Sequence, residues 1–212
     1  MRAALIDYGS GNIASAAKAL SRAAAETSGH EIVVTADPDM VRKSERIILP
    51  GVGAFADCMR GLSAVPGMIE ALNESVIRSG KPILGICVGM QLMATAGREF
   101  GMHPGLNWIE GEVVPLSPAD PALKIPHMGW NEIDLMWSHP VFAGLDEDAN
   151  AYFVHSFEMK PVTATHLLAT TDYGGAVTAA IGRDNMVGTQ FHPEKSQAVG
   201  LKILANFLNW TP

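Results

Sequence analysis

The strongest constraint on the fold is an alternation that runs through the first half of the chain. Ala3–Asp7, Glu31–Thr35, Arg46–Leu49 and the apolar run ending at Cys87 read as short strands. Helical segments separate them. Ile13–Ala25 puts Ile13, Ala16, Ala17 and Leu20 on one face and Asn12, Ser15, Lys18 and Arg22 on the other, the period of an amphipathic helix. Asp37-Pro38 reads as an N-cap followed by proline at the first helical position. Pro66–Ser79 reads as a further amphipathic helix through Ile69, Leu72, Val76 and Ile77, stopped by Gly80. Strands that alternate with helices imply an α/β fold with a mostly parallel sheet flanked by helices. Such sheets carry their sites at the carboxyl ends of the strands. Asp7–Asn12, Pro50–Gly53 and Cys87 fall there.

The second half is richer in strands. Leu106–Leu116, Gly129–Met136, Ala151–Met159, Leu167–Thr171, Ala176–Gly182 and Asn185–Phe191 have strand character, with Gly, Asp and Pro turns between them. They predict an additional antiparallel portion. A last helix, about Ala198–Asn209, aligns Leu201, Leu204, Ala205 and Leu208. No linker, repeat or low-complexity stretch interrupts the chain, so residues 1–212 read as a single domain.

Lys81-Pro-Ile-Leu-Gly-Ile-Cys-Val-Gly-Met-Gln-Leu92 is the most informative segment chemically. It reads as a strand, then Cys87 between Gly85 and Gly89, then a helix opening at about Met90. A strand that bends sharply into a helix lifts the residue at the bend out of the sheet, and glycines allow that bend without a Cβ clash. The pattern is a nucleophile elbow with Cys in place of Ser. A helix start behind the sulfur favours a thiolate.

Bulk properties exclude several functions. A net charge of −7 and no basic run argue against nucleic acid. No apolar run reaches the roughly 18 residues of a membrane span, and the start is too short in apolar length for a signal peptide. Two cysteines without CxxC spacing give neither a disulfide framework nor a metal pattern. The expectation is a cytoplasmic protein with no metal and no cofactor.

Cys87 alone proves little, because a cysteine at a buried strand end is more often a small core residue. Gln190-Phe-His-Pro-Glu-Lys195 changes the reading. His192 follows a strand, and Glu194 lies two residues on across a stiffening proline. A thiol needs a base, and the base needs a partner to fix its tautomer. Cys87, His192 and Glu194 can fill those roles.

Gly-Ile-Cys-Val-Gly-Met-Gln-Leu92 with Phe-His-Pro-Glu-Lys-Ser196 resembles the class I triad glutamine amidotransferases. Asp7-Tyr-Gly-Ser-Gly-Asn-Ile13, Pro50-Gly-Val-Gly-Ala-Phe55, Pro126-His-Met-Gly-Trp-Asn131 and Tyr152-Phe-Val-His-Ser-Phe157 narrow the resemblance to the glutaminase subunits of imidazole glycerol phosphate synthases. The motifs span nearly the whole chain, and Pro126–Asn131 discriminates best. The resemblance implies a flavodoxin-like sheet and a glutaminase in which Cys87 attacks the carboxamide of glutamine. His192 would shuttle the proton and Glu194 would hold His192. The N–H groups of Val88 and Val52 would form the oxyanion hole. Gly51, Gly53, Gln91, His155, Ser156 and Phe157 would line the glutamine site, the last three holding its amino and carboxylate ends. The ammonia would pass to a (β/α)₈ barrel cyclase in a heterodimer within histidine biosynthesis. Ser10, Asn12, Ser15, Lys18 and Trp130 are the candidate interface.

A glycine-flanked peptide can turn over at low steric cost. If the Val52 N–H of Pro50-Gly-Val-Gly53 points away at rest, the oxyanion lacks a donor and glutamine is spared until the partner binds; the sequence does not give that resting state. Phe157 stands where tyrosine is frequent in these subunits, which removes a hydroxyl contact. Rival readings are a glutaminase for anthranilate, pyridoxal phosphate or guanylate synthesis, a binding module that kept the fold, and a cysteine hydrolase or peptidase.

Overall fold

The computed structural model describes residues 1–27 and 29–212. Chain order begins with β1 (Arg2–Ile6), α1 (Ile13–Glu26), β2 (Glu31–Thr35), α2 (Pro38–Lys43), β3 (Arg46–Gly51), α3 (Phe55–Ala64) and α4 (Met68–Leu72). A π-helix, Asn73–Arg78, leads to β4 (Ile83–Cys87) and α5 (Val88–Gln91). The strand-rich portion follows: β5 (Ala96–Gly97), β6 (His103–Pro104), β7 (Gly111–Pro115), β8 (His127–Glu132), β9 (Asp134–Leu135), β10 (Asn150–His155), β11 (Phe157–Pro161), β12 (Leu167–Asp172), β13 (Ala176–Arg183) and β14 (Met186–Thr189). A 3-10 turn at Pro193–Lys195 and α6 (Gln197–Asn209) close the chain.

The central sheet has the order β2-β1-β3-β4-β14-β13-β12-β9. The pairs from β2 to β14 are parallel, and those from β14 to β9 are antiparallel. Its inner strands read Ala-Ala-Leu-Ile, Ile-Ile-Leu and Ile-Leu-Gly-Ile and are buried on both faces, as strands covered by helices on either side must be. α1 packs on α6, while α4 packs on α2 and α3. β8 pairs with β10, and β11-β7-β5-β6 forms a third sheet.

Local chemistry explains the helix starts. The Asp37 carboxylate accepts from Asp39 N at 2.9 Å, with Pro38 in the first turn, and caps α2 as expected. Several expected boundaries move. Pro66–Ser79 is broken: Gly67 sits at φ +78° ahead of α4, and the chain then widens into the π-helix, where Ser79 N bonds Glu74 O at 3.0 Å. Leu106–Leu116 is strand only at Gly111–Pro115. The N–H groups of Leu106, Asn107, Trp108 and Ile109 turn back onto the carbonyls of Leu92, Ala94 and Met93, capping the end of α5 instead of joining a sheet. Ala151–Met159 is two strands in two sheets, divided at Ser156.

Candidate active site

The bend after β4 is tighter than the expected helix start at Met90, because α5 opens at Val88, directly after Cys87. Cys87 holds φ +54° and ψ −113°, a conformation costing a non-glycine residue about 1–3 kcal/mol. Glycines make the bend fit. A Cβ on Gly89 would stand 1.9 Å from Leu49 O, and one on Gly51 would stand 2.6 Å from Gly89 N. Backbone therefore packs on backbone where β3 passes α5. Gly51 is a spacer under the elbow.

β14 lies parallel beside β4, so the chain leaving β14 returns to the same sheet edge as Cys87. His192 is 2% exposed, and its Nδ1 lies 2.8 Å from Glu194 Oε1. Among the described residues His192 Nε2 makes no well-aligned hydrogen bond and is left on the Cys87 side of the ring. His192 and Cys87 line one pocket of about 320 Å³. Burial alone disfavours a proton on the ring, but Cys87 and Glu194 outweigh it and lift His192 to about 9. The ring thus carries a proton near neutral pH and lies between a carboxylate and a sulfur. Cys87 and His192 share the pocket, and Glu194 holds His192 from behind, beside a second, smaller cavity.

A family model described as glutamine amidotransferase class-I matches residues 4–210. The chain belongs to the class I glutamine amidotransferase family. The imidazole glycerol phosphate synthase subunit HisH of Rhodospirillum rubrum is 58% identical over 214 residues, spanning 100% of both chains. The subunit of the same name from Caulobacter vibrioides is 58% identical over 210 residues, 99% of this chain and 98% of that one. Solved structures share the fold at lower identity. A glutamine amidotransferase superposes with a TM-score of 0.72 at 15% identity, covering 98% of this chain and 99% of its own. A glutamine amidotransferase from Thermotoga maritima gives 0.63 at 14% identity, covering 92% of this chain and 76% of its own.

The other residues of this amidotransferase pocket divide by what holds them. Val52, Gly53, Val88, Gln91, Ser156 and Phe157 all line it. Val88 is the first residue of α5, so its N–H has no acceptor within the helix. The Val52 N–H instead points to Ser10 Oγ at 3.3 Å, and Ser10 Oγ donates to Val52 O at 2.7 Å. Cys58 Sγ also donates to Val52 O, at 3.3 Å, and Tyr8 donates to Pro50 O at 2.7 Å. Burial and the neighbouring Cys58 push the Tyr8 phenol far above its ordinary range, so it stays a neutral donor. Ser10 is thus tied to the Val52 backbone.

His155 Nδ1 lies 2.9 Å from Phe157 O and its Nε2 lies 3.0 Å from His127 Nδ1. Both ring nitrogens thus meet protein groups while the residue lines the pocket. Sequence reasoning missed Glu99, which lines the pocket while its Oε2 accepts from Phe55 N at 2.8 Å at the start of α3. Its loop matched no motif, so only the tertiary contact reveals it. Behind His192 lies a cavity of about 10 Å³ lined by Asn12, Pro50, Val52 and Glu194, room for about one water-sized molecule.

No group of acidic, histidine and cysteine side chains among the described residues could hold a metal. No described helix is long and apolar enough to cross a membrane.

Proposed function

We propose that residues 1–212 act as one glutaminase domain that releases ammonia from glutamine for a separate cyclase, as in imidazole glycerol phosphate synthase. The observation that carries this reading is His192, held by Glu194 at 2.8 Å and sharing a pocket with the strained Cys87. The Cys87 thiolate attacks the side-chain carboxamide carbon. The oxyanion that forms is met by the Val88 N–H. His192 gives its proton to the departing nitrogen, which leaves as ammonia. The neutral ring then takes a proton from water as that water attacks the γ-glutamyl thioester, and glutamate departs from the sulfur. Glu99 is placed to attract the α-ammonium of glutamine, and Gln91, Ser156 and the Phe157 backbone frame the rest.

Ammonia released in open water becomes ammonium and loses its lone pair for attack. Its acceptor must therefore sit close by. The small cavity behind His192 has Asn12 in its wall. Val52 on the pocket wall and Ile125, Met128 and Trp130 on and beside the Pro126–Asn131 segment are exposed apolar side chains, the composition of a docking face. Ile125 and Met128 extend the surface expected from Asn12, Ser15, Lys18 and Trp130. The partner is a barrel cyclase that seats there, and Lys18 is an exposed charge beside it. The Val52 N–H on Ser10 is a resting state, and docking favours the turned peptide.

The test is glutamate release by the chain co-purified with a barrel cyclase, with its nucleotide ligand present. Cys87→Ala abolishes it, while an ammonium salt still supports the cyclase reaction. Undiminished glutamate release by Cys87→Ala would overturn the reading.

A further inference from the structure

Gln190 follows β14, is fully buried and lies behind the pocket wall, outside the triad. A buried amide must place both its donors and its acceptor. Here the direction of each hydrogen bond can be deduced from one atom. Phe157 O is a carbonyl oxygen and can only accept.

Gln91 Nε2 donates to Phe157 O at 3.2 Å and to Gln190 Oε1 at 3.0 Å. Gln190 therefore turns its oxygen to Gln91 and its nitrogen the other way. That nitrogen, Nε2, donates to Cys87 Sγ at 3.7 Å. On the far side of Phe157 O, His155 Nδ1 must carry a hydrogen, so the neutral ring's Nε2 accepts. His127 Nδ1 must then donate to it at 3.0 Å, leaving His127 Nε2 to accept from Asn131 Nδ2 at 3.3 Å. Asn131 Nδ2 also donates to Asp172 O at 2.7 Å. Protonating either histidine would set two hydrogens face to face. Burial lowers both rings to about 4, which keeps them neutral.

We propose that Gln190 is a further catalytic residue of this site: its amide N–H donates to the Cys87 sulfur and favours the thiolate, and the Asn131-His127-His155-Phe157-Gln91 chain fixes which way that amide points. The inference rests on the glutaminase reading and adds to it a donor on the sulfur. It also gives the Pro126–Asn131 motif a chemical task. β8 alternates exposed Met128 and Trp130 on one face with His127 and Asn131 on the other, as a strand of period two must.

The titratable groups around the sulfur are His192 just before the 3-10 turn with Glu194 behind it, His155 from β10, Glu99 from the pocket loop, and Tyr8 and Cys58 behind the oxyanion strand. A test must separate Gln190 from these. Iodoacetamide alkylation of Cys87 in the cyclase complex, followed by peptide mapping across pH, does so. Gln190→Met removes the donor at similar volume and slows alkylation near neutral pH by about tenfold, the loss of one hydrogen bond to a charged group. Gln190→Glu sets a carboxylate against the sulfur and slows it further. Both move the pH profile of alkylation to the alkaline side, and His127→Gln moves it the same way by less. Equal slowing by Met and Glu with an unmoved profile would mean a packing role only and would overturn the proposal, as would parental rates in both. Failure of the parent complex to hydrolyse glutamine would instead overturn the glutaminase reading, whatever the alkylation shows.

Discussion

Gly89→Ala sets two physical effects against each other at the elbow. Gly89 lies inside α5 without a positive φ. Helix propensity alone says that alanine there gains about 1 kcal/mol. The tertiary contact says otherwise. The new Cβ would meet Leu49 O at 1.9 Å, and real Cβ contacts do not fall below 3.0 Å. The backbones of β3 and α5 must therefore separate by about 1.1 Å. The obstacle is a carbonyl, not the end of a flexible side chain, so no rotamer change relieves it. Overpacking of this kind costs about 1–3 kcal/mol, and movement shared between two backbones belongs at the upper end. The net effect is a loss of about 2 kcal/mol, or about 4–8 °C in Tm for a chain of this size. Activity suffers more, because Cys87 stands at the end of the displaced segment. A misplacement of about 1 Å costs on the order of 10²-fold in rate. The assay is calorimetry of the chain together with glutamate release in the cyclase complex. An alanine variant that melts at or above the parent temperature and keeps full turnover would refute the steric argument.

Other expectations follow from single contacts. Ser10→Ala frees the Val52 N–H and leaves its carbonyl only the Cys58 thiol as donor, a loss of two bonds worth about 1 kcal/mol each; glutamate release without the cyclase should rise several-fold, and an unchanged basal rate would show that Ser10 does not hold the strand. Glu99→Gln should raise KM for glutamine about tenfold, through loss of one charged contact, with kcat nearly unchanged; a fall in kcat at constant KM would place Glu99 elsewhere in the reaction. Glutaminase activity should decline as pH rises through about 9, where His192 loses the proton it hands to the leaving nitrogen; a flat alkaline limb would contradict that role. The same ring binds its proton more tightly folded than at its ordinary 6.5. Its contribution to stability is thus complete below about 6.5 and lost as pH rises through about 9. His127 and His155 act oppositely: both are lowered to about 4, so their contribution is lost as pH falls from 6.5. Urea titrations across that range would show both limbs.

The local chemistry of the chain was legible before folding. Apolar runs broken by Asp37-Pro38, Gly80 and Pro50–Gly53 fix the strands and helices of the parallel half, because periodicity and backbone restriction act over a few residues. The Gly85-Ile-Cys-Val-Gly89 elbow and the His192–Glu194 spacing point to a nucleophile and its base for the same reason. Other features depend on groups distant in sequence. Ser156 divides two strands because their partners, β8 and β7, lie in different sheets. Glu99 enters the pocket through a bond to Phe55, across 44 positions.

By itself the sequence determined the types of side chain and the turns that present them: a cysteine on a tight bend, an imidazole with a carboxylate two residues on, and glycines where backbone must pass close. Only the tertiary structure decided which of those groups meet and which way their hydrogen bonds run. It gave Ser10 to Val52, tied both ring nitrogens of His155 to Phe157 and His127 and turned Gln190 toward the sulfur. The physical reason is range: propensity and spacing act between near neighbours, whereas a buried polar group must find its partner wherever packing brings one.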